Sequence, residues 1–407
     1  MINDRKVIFL SILLFHTFFV YIGDLGSVVG RVIQAVCLFF FILNFNIRIK
    51  LWFKPSSNKK LFRLLLFYIA AIIVTSLLSR SIDLSYLRSF RIISVKDEYT
   101  PASYSMGIMT SIVVFMYFTF IEYLNTINKT YLMANVFYKL CLFYCIISDL
   151  ASFAVGIDNL QIIGGGKFAL SYLHIFLVAF YYLRNSTSNR TVPIKKYYGY
   201  ILFAVVISIY TECTTALMGC MIVAIVFMFR KFFHDKVFRP KVLLVLLAIC
   251  ALFPILVTYI IDNPYVSYFI VEVLGEDLTL TGRLGIYETL GEVMLLRPIW
   301  GFGVGNGHYI MAFLYGTANA QNGVANLILE QGVLGLISVI ALWITCMNEV
   351  THKNNMDTVF GVYAIILALI IMSMAEITVD TRFVVFTSLL LLSSARSKVY
   401  TKKQMLA

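Results

Sequence analysis

Charge is what this chain has least of. Only 13% of its 407 residues are Asp, Glu, Lys or Arg, where a soluble domain carries about 25%. With 60% of residues hydrophobic and a mean hydropathy of +0.86, too few polar side chains exist to clothe a soluble globule. Other shortages exclude other classes. The seven cysteines (Cys37, Cys141, Cys145, Cys213, Cys220, Cys250 and Cys346) lie in or beside apolar runs. Cys141 and Cys145 have helical spacing but no histidine near them, so all seven read as buried small hydrophobes and not as disulfides or metal ligands. Neither a metal site nor a cofactor is expected. His16, His174, His234 and His352 show no partner pattern and read as structural. No internal repeat or low-complexity tract is present. Arg5 and Lys6 precede the first apolar run, and no small-residue cleavage site follows it, so an uncleaved first span is expected.

What is abundant is apolar sequence in lengths close to the roughly 20 residues that cross a bilayer as a helix. Twelve such segments stand out: Val7–Ile22, Val28–Phe45, Leu61–Ser79, Met106–Leu124, Leu132–Val155, Phe168–Leu183, Tyr197–Tyr210, Thr215–Phe229, Val242–Ile261, Val324–Cys346, Val359–Ala375 and Phe383–Ala395. The expected fold is an all-α polytopic membrane protein, a single bundle over residues 1–407 with about twelve transmembrane helices. The hairpin Tyr197–Phe229 has two short halves, which leaves open a re-entrant loop or one span fewer.

A net charge of +12 invites a nucleic-acid reading, but the placement of the cations argues for membrane orientation instead. With the N-terminus inside, 23 of the 33 Lys and Arg fall on cytoplasmic segments and span edges, nine on outer ones, and Lys139 within a span. That bias predicts both termini in the cytoplasm, and no nucleic-acid partner. The cytoplasmic segments are short and hold nothing resembling a nucleotide fold.

On the outer side, between spans 9 and 10, lies the long polar stretch 262–321, an extracytoplasmic loop far longer than ordinary connections. Within it TGRLGIYETLGEVMLLRP predicts an amphipathic helix with Thr281 as N-cap, Leu284, Tyr287, Leu290 and Met294 on one face, and Pro298 as its stop. Such a helix can lie at the membrane surface. Arg283 and Arg297, close to four turns apart, would then point to similar sides and bind either a substrate or lipid phosphates. Next, WGFGVGNGHY alternates Gly301, Gly303, Gly305 and Gly307 before His308, a ligand cradle or a plain turn. Then NAQNGVANLILEQGVLGL brings Gln321, Asn322 and Asn326 to the mouth of the tenth span and Glu330 into it. An ionisable residue within a span marks a candidate functional site, unless it reaches the interface or pairs with a neighbouring cation. Gly332 and Gly335 suit close helix packing. Two further outer segments carry cations: Arg80–Ser105 with Arg88 and Arg91, and Gly156–Lys167 with Lys167 after three glycines. Outer-loop aromatics (Tyr86, Tyr99, Tyr104, Tyr287, Trp300, Tyr309, Tyr315) suit an interfacial belt or sugar stacking.

In this order, Gly282–Arg283, an amphipathic helix, Pro298 with Gly301, Gly303 and Gly305, Gln321–Asn322, and Glu330 with Gly332 and Gly335 resemble the O-antigen polymerase and ligase superfamily of bacterial envelope glycan assembly. The tightest likeness covers Thr281 to Leu336, with weaker echoes in GGGKFALSYLH and YTECTTALMG. The resemblance implies a bacterial inner-membrane glycosyltransferase of polysaccharide biosynthesis (lipopolysaccharide or capsule). Its partner is an undecaprenyl-diphosphate-linked oligosaccharide, whose glycan moves to a lipid-linked acceptor on the outer leaflet without nucleotide or metal. Membrane lipid, a chain-length regulator and a flippase are further partners of such a role. The implied catalytic set is Arg283, Gln321, Asn322, Glu288, His308 and Glu330, with Arg297, Arg88, Arg91, Lys167 and Arg382 binding the substrate. Arginine suits the departing diphosphate because its planar fork takes two phosphate oxygens and stays charged. One departure stands out. Many members carry His where this chain has Gln321, and an amide is no proton acceptor. The base then comes from His308, Glu288 or Glu330, or the hydroxyl proton leaves late. The departure favours a repeat-unit polymerase over a ligase. A lipid-linked oligosaccharide flippase is the competing class, for which charges within the spans and two related halves are expected.

Overall fold

In a computed structural model, the protein is described at residues 3–23, 27–45, 51–53, 58–79, 105–156, 166–188, 194–261, 263–268, 271–272, 283–316, 319–352 and 356–394. These residues are helical almost throughout, and no strand occurs among them. The helices are α1 (Asp4–Gly23), α2 (Ser27–Asn44), α3 (Lys59–Leu78), α4 (Ser105–Ile127), α5 (Thr130–Val155), α6 (Gly166–Thr187), α7 (Ile194–Tyr210), α8 (Thr214–Met228), α9 (Pro240–Ile260), α10 (Arg283–Leu296), α11 (Asn306–Tyr315), α12 (Gly323–His352), α13 (Met356–Met372) and α14 (Thr381–Leu389). A 3₁₀ stretch, Leu390–Ser394, extends α14. Each of the twelve apolar segments read from the sequence falls on one of these helices.

Among the described residues, five helices are long and apolar enough to cross a membrane: α3, α4, α5, α9 and α12. A sixth is added if α8 and the segment Arg230–Val237 count as one span broken by an 88° bend. The 15 residues of α8 rise only about 22 Å, short of a bilayer core of about 30 Å.

The surface chemistry matches a lipid environment. On α9, Val242, Val245, Ile249, Leu252 and Leu256 are all exposed, a stripe at helical spacing with nothing polar in it. On α2 the exposed residues include Val32, Val36, Phe39, Phe40, Ile42 and Leu43. In water such faces would be patches needing a partner. At the centre, α6 packs against α5, α7 and α13. Apart from Asp357 and Ile371, every residue of α13 is buried, as expected of a helix that is hydrophobic all round. Local chemistry sets several ends. The Asn58 side chain caps α3 by accepting from the Leu61 N–H at 3.0 Å. Pro240 opens α9.

A second, smaller core lies at one end of the bundle, where Ile286, Tyr287, Leu290 and Val293 of α10 meet Phe302, Ile310, Met311, Phe313 and Leu314, over Val257 of α9 and Leu329 of α12. The loop helix expected over this stretch is present, and it packs on α9 and α12. Its buried face is shifted by a residue from the expected one, because Ile286 and Val293 go in while Leu284 and Met294 are only partly covered.

Candidate functional site

α10 begins at Arg283, and α12 begins just after Gln321. The Arg283 Nε donates to the Gln321 side-chain oxygen at 3.2 Å. The turn that presents Gln321 is tightly specified. Gln321 holds a left-handed backbone, φ 52°, a conformation uncommon outside glycine and worth attention where it occurs. Its N–H donates to the Asn319 side chain at 2.8 Å. The Tyr287 hydroxyl donates to the Gln321 carbonyl at 2.9 Å and lies 3.4 Å from the Met374 carbonyl. The next N–H but one, that of Gly323, donates to the Ser373 carbonyl at 2.8 Å. Through these bonds the turn before α12 is fastened to α10 and to the 373–380 connection between α13 and α14.

That connection carries Glu376, which is half-buried. The positive charges of Arg283, Arg382 and Lys167 all act on its carboxyl. Burial, the larger influence, pushes the carboxyl above its usual range, and the three cations oppose the shift. Arg382 opens α14 and is largely committed: its Nε pairs with Asp380 at 2.8 Å, it donates to the Ile377 carbonyl, and its guanidinium lies 5.7 Å from the Tyr172 ring centre. Asp380 also caps α14 by accepting from the Arg382 N–H at 2.8 Å. Lys167, in the first turn of α6, is exposed. Arg283, Gln321, Lys167 and Arg382 are thus brought to one end of the bundle from widely separated positions, with Glu376 among them.

The other expected site residues have different surroundings. Asn322 is buried and acts on backbone. Its amide donates to the Cys250 carbonyl at 3.1 Å, and its oxygen accepts from the Ala325 N–H at 2.9 Å, capping α12. Glu288 is exposed on α10, and His308 is exposed on α11 with its ring edge-on to Tyr309. Arg297 follows the end of α10, about 21 Å along the axis from Arg283 at 1.5 Å per residue. Its Nη2 donates to the Leu78 carbonyl at 3.0 Å, placing a cation at the C-terminus of α3. The two arginines therefore occupy opposite ends of α10 and do not converge. Arg88 and Arg91 lie outside the described residues, as do Thr281 and Gly282.

Among the described residues, no cation pairs with Glu330. Its carboxyl faces the backbone N–H groups of Gly305 and Gly307 and the Asn326 side chain, which sets it against the start of α11. The glycine series is likewise engaged with protein. Phe302 and Gly303 donate their N–H groups to the Leu329 and Glu330 carbonyls at 2.8 and 2.7 Å, and Val333 donates to the Pro298 carbonyl at 2.8 Å. This exchange requires α12 to open at Gly332, whose φ of 64° interrupts the helix. A Cβ on Gly301 would come within 2.6 Å of the Gly332 nitrogen. The alternating glycines let an extended strip of backbone dock into a broken helix.

Two groups escaped sequence reasoning. Glu376 is a lone acid in a short connection, and only the fold gives it neighbours. His174 and Asp149 form a buried pair within the bundle, Nε2 to Oδ2 at 3.2 Å, linking α6 to α5. Two ionisable residues inside apolar segments were the available signal for it. No family model matches the chain, and no known protein in the curated comparison matches it significantly.

Proposed function

We propose that the protein is a repeat-unit polymerase, which moves a glycan from undecaprenyl diphosphate to a hydroxyl of a second lipid-linked unit on the outer face of a bacterial cytoplasmic membrane. In this reading α1 to α9 and α12 to α14 are the twelve spans, both termini are cytoplasmic, and α10 and α11 belong to the outer loop. The observation that carries it is the gathering of Arg283, Lys167 and Arg382 around one half-buried site, beside Gln321.

A lipid-diphosphate donor is already activated, so the protein need only position two chains and stabilise the negative charge that leaves. A preorganised donor aimed at developing charge supplies about 3 kcal/mol. Arg283 is suited to this, because its bond to a neutral amide oxygen leaves its charge uncancelled by Gln321. Arg382, balanced by Asp380, orients more than it attracts. The Gln321 amide keeps the Arg283 fork in place and offers hydrogen bonds to sugar hydroxyls.

One observation favours the transporter class, the buried His174–Asp149 pair, since intramembrane acid and histidine residues serve proton relays. Two assays separate the readings. Purified protein in detergent, given lipid-linked repeat units and neither nucleotide nor ion gradient, is expected to yield a ladder of longer glycans. Unchanged single units, with movement of those units across sealed vesicles, would replace the polymerase with a flippase.

A further inference from the structure

Glycosyl transfer to a hydroxyl releases a proton, and Gln321 has no means of taking it. Among the described residues, the groups around the site are Arg283 and Tyr287 from α10, Lys167 and Tyr172 from α6, Cys213 from the turn before α8, and Glu376, Asp380 and Arg382 from the 373–382 segment. Most are already spent. Asp380 caps α14 and pairs with Arg382. Tyr287 uses its proton on the Gln321 carbonyl. Tyr172 and Cys213 are buried, at 3% and 2% exposure. Among the described residues named here, Glu376 is the remaining acid, and it is half-buried. Its backbone is held firmly, with its N–H on the Met372 carbonyl at 3.0 Å and the nearby Thr378 hydroxyl on the Leu369 carbonyl at 2.6 Å.

We propose that Glu376 is the catalytic base of the glycan transfer, taking the proton of the acceptor hydroxyl while the cations beside it hold the diphosphate of the donor. This rests on the polymerase reading. In the step, the acceptor oxygen forms a bond to the anomeric carbon, and the bond from that carbon to the diphosphate oxygen breaks. Its electron pair leaves with undecaprenyl diphosphate. The hydroxyl proton goes to a Glu376 oxygen and then to solvent or to the released diphosphate. No oxidant or co-reactant is required.

The surroundings make the base responsive to its substrate. Burial raises the carboxyl, while three positive charges and the Ile377 N–H pull it toward ionisation. A bound diphosphate offsets those charges, so the carboxylate becomes a better proton acceptor when a donor is present. Positioned bases of this kind contribute about 10² to 10⁴ in rate.

The test compares the purified full chain, Glu376→Gln, Glu376→Asp and Glu376→Ala, with undecaprenyl-diphosphate-linked repeat units across a pH series. The expected result for Glu376→Gln is a fall in kcat of at least about 100-fold with KM little changed, and loss of the acid limb of the pH profile. Glu376→Asp is expected to retain an intermediate rate with a shifted limb. Added formate is expected to restore part of the rate of Glu376→Ala, which a purely structural role would not allow. A Glu376→Gln protein that keeps its rate within about threefold and its acid limb overturns the assignment and leaves the polymerase reading standing. A wild-type chain that makes no polymer overturns both.

Discussion

The guanidinium of Arg283 bonds to the side-chain oxygen of Gln321 at 3.2 Å across 38 residues of sequence. The bond joins the first residue of α10 to the turn that opens α12. It makes the orientation of the arginine depend on a glutamine that is itself held in a left-handed conformation. If the arginine receives a diphosphate, its planar fork and its support should both register in the rate.

Arg283→Ala is expected to lower chain extension by at least about 100-fold, the equivalent of about 3 kcal/mol. Arg283→Lys keeps the charge but loses the bidentate fork, and a loss of about tenfold or more is expected. Gln321→Ala removes one bond to a charged group, and a smaller loss of severalfold is expected. Initial rates of glycan extension, normalised to folded protein, check this order. Equal rates for Arg283→Lys and wild type would show that charge alone suffices.

The break in α12 gives a stability prediction. A Cβ at position 332 would collide with the Ile299 carbonyl, and the backbone there is left-handed. Gly332→Ala is therefore expected to destabilise by roughly 2 kcal/mol or more, from strain and displaced docking of the 298–303 strip. Gly285, inside α10 with open space around its Cα, is the contrasting position. Gly285→Ala is expected to leave stability equal or raise it by about 0.5–1 kcal/mol. Thermal unfolding in detergent reads both.

The His174–Asp149 pair joins α6 to α5 in the bundle interior. Removing one partner strands the other, so Asp149→Leu and His174→Phe are each expected to cost roughly 3 kcal/mol or more, whereas the double replacement Asp149→Leu, His174→Phe is expected to recover much of the loss. A double-mutant cycle on the unfolding midpoint measures the coupling. Additive losses would remove the pair as a tie between the helices.

Glu376 also predicts a pH dependence of folding. Its carboxyl lies above the ordinary value of 4.5 in the folded chain, so the folded state holds the proton more tightly than the unfolded one. The stability from this group is complete below 4.5 and declines as pH rises through the higher folded value. Glu376→Gln has no proton to lose, so its midpoint is expected to fall less than that of wild type over the range from about pH 4.5 upward. Parallel curves for the two proteins would contradict the burial of this carboxyl.

The helical framework was legible in the sequence because hydropathy and length set it locally. The apolar segments and the helices coincide to within a few residues nearly everywhere. The pairing of Arg283 with Gln321 was legible only as an order of motifs. Other features depended on distant partners. The glycines at 301–307 read as a turn or a ligand cradle because the backbone they pack against, opened around Gly332, lies about 30 residues on. Asn322 is met by backbone groups, and Glu330 by the Gly305 and Gly307 N–H groups and the Asn326 side chain, partners that only the fold supplies. Arg283 and Arg297 share a helical phase, yet opposite ends of one helix keep them apart. Glu376 draws its meaning from Lys167, Arg283 and Arg382, brought to it by three separate helices.

Equilibrium binding of undecaprenyl diphosphate to the purified chain tests the central claim most directly, because it asks whether this end of the bundle receives a lipid diphosphate at all. The account predicts saturable binding by wild type that weakens by about tenfold or more in Arg283→Ala while Arg297→Ala shifts it less. Equal affinity in wild type and Arg283→Ala, with both proteins folded, would contradict it.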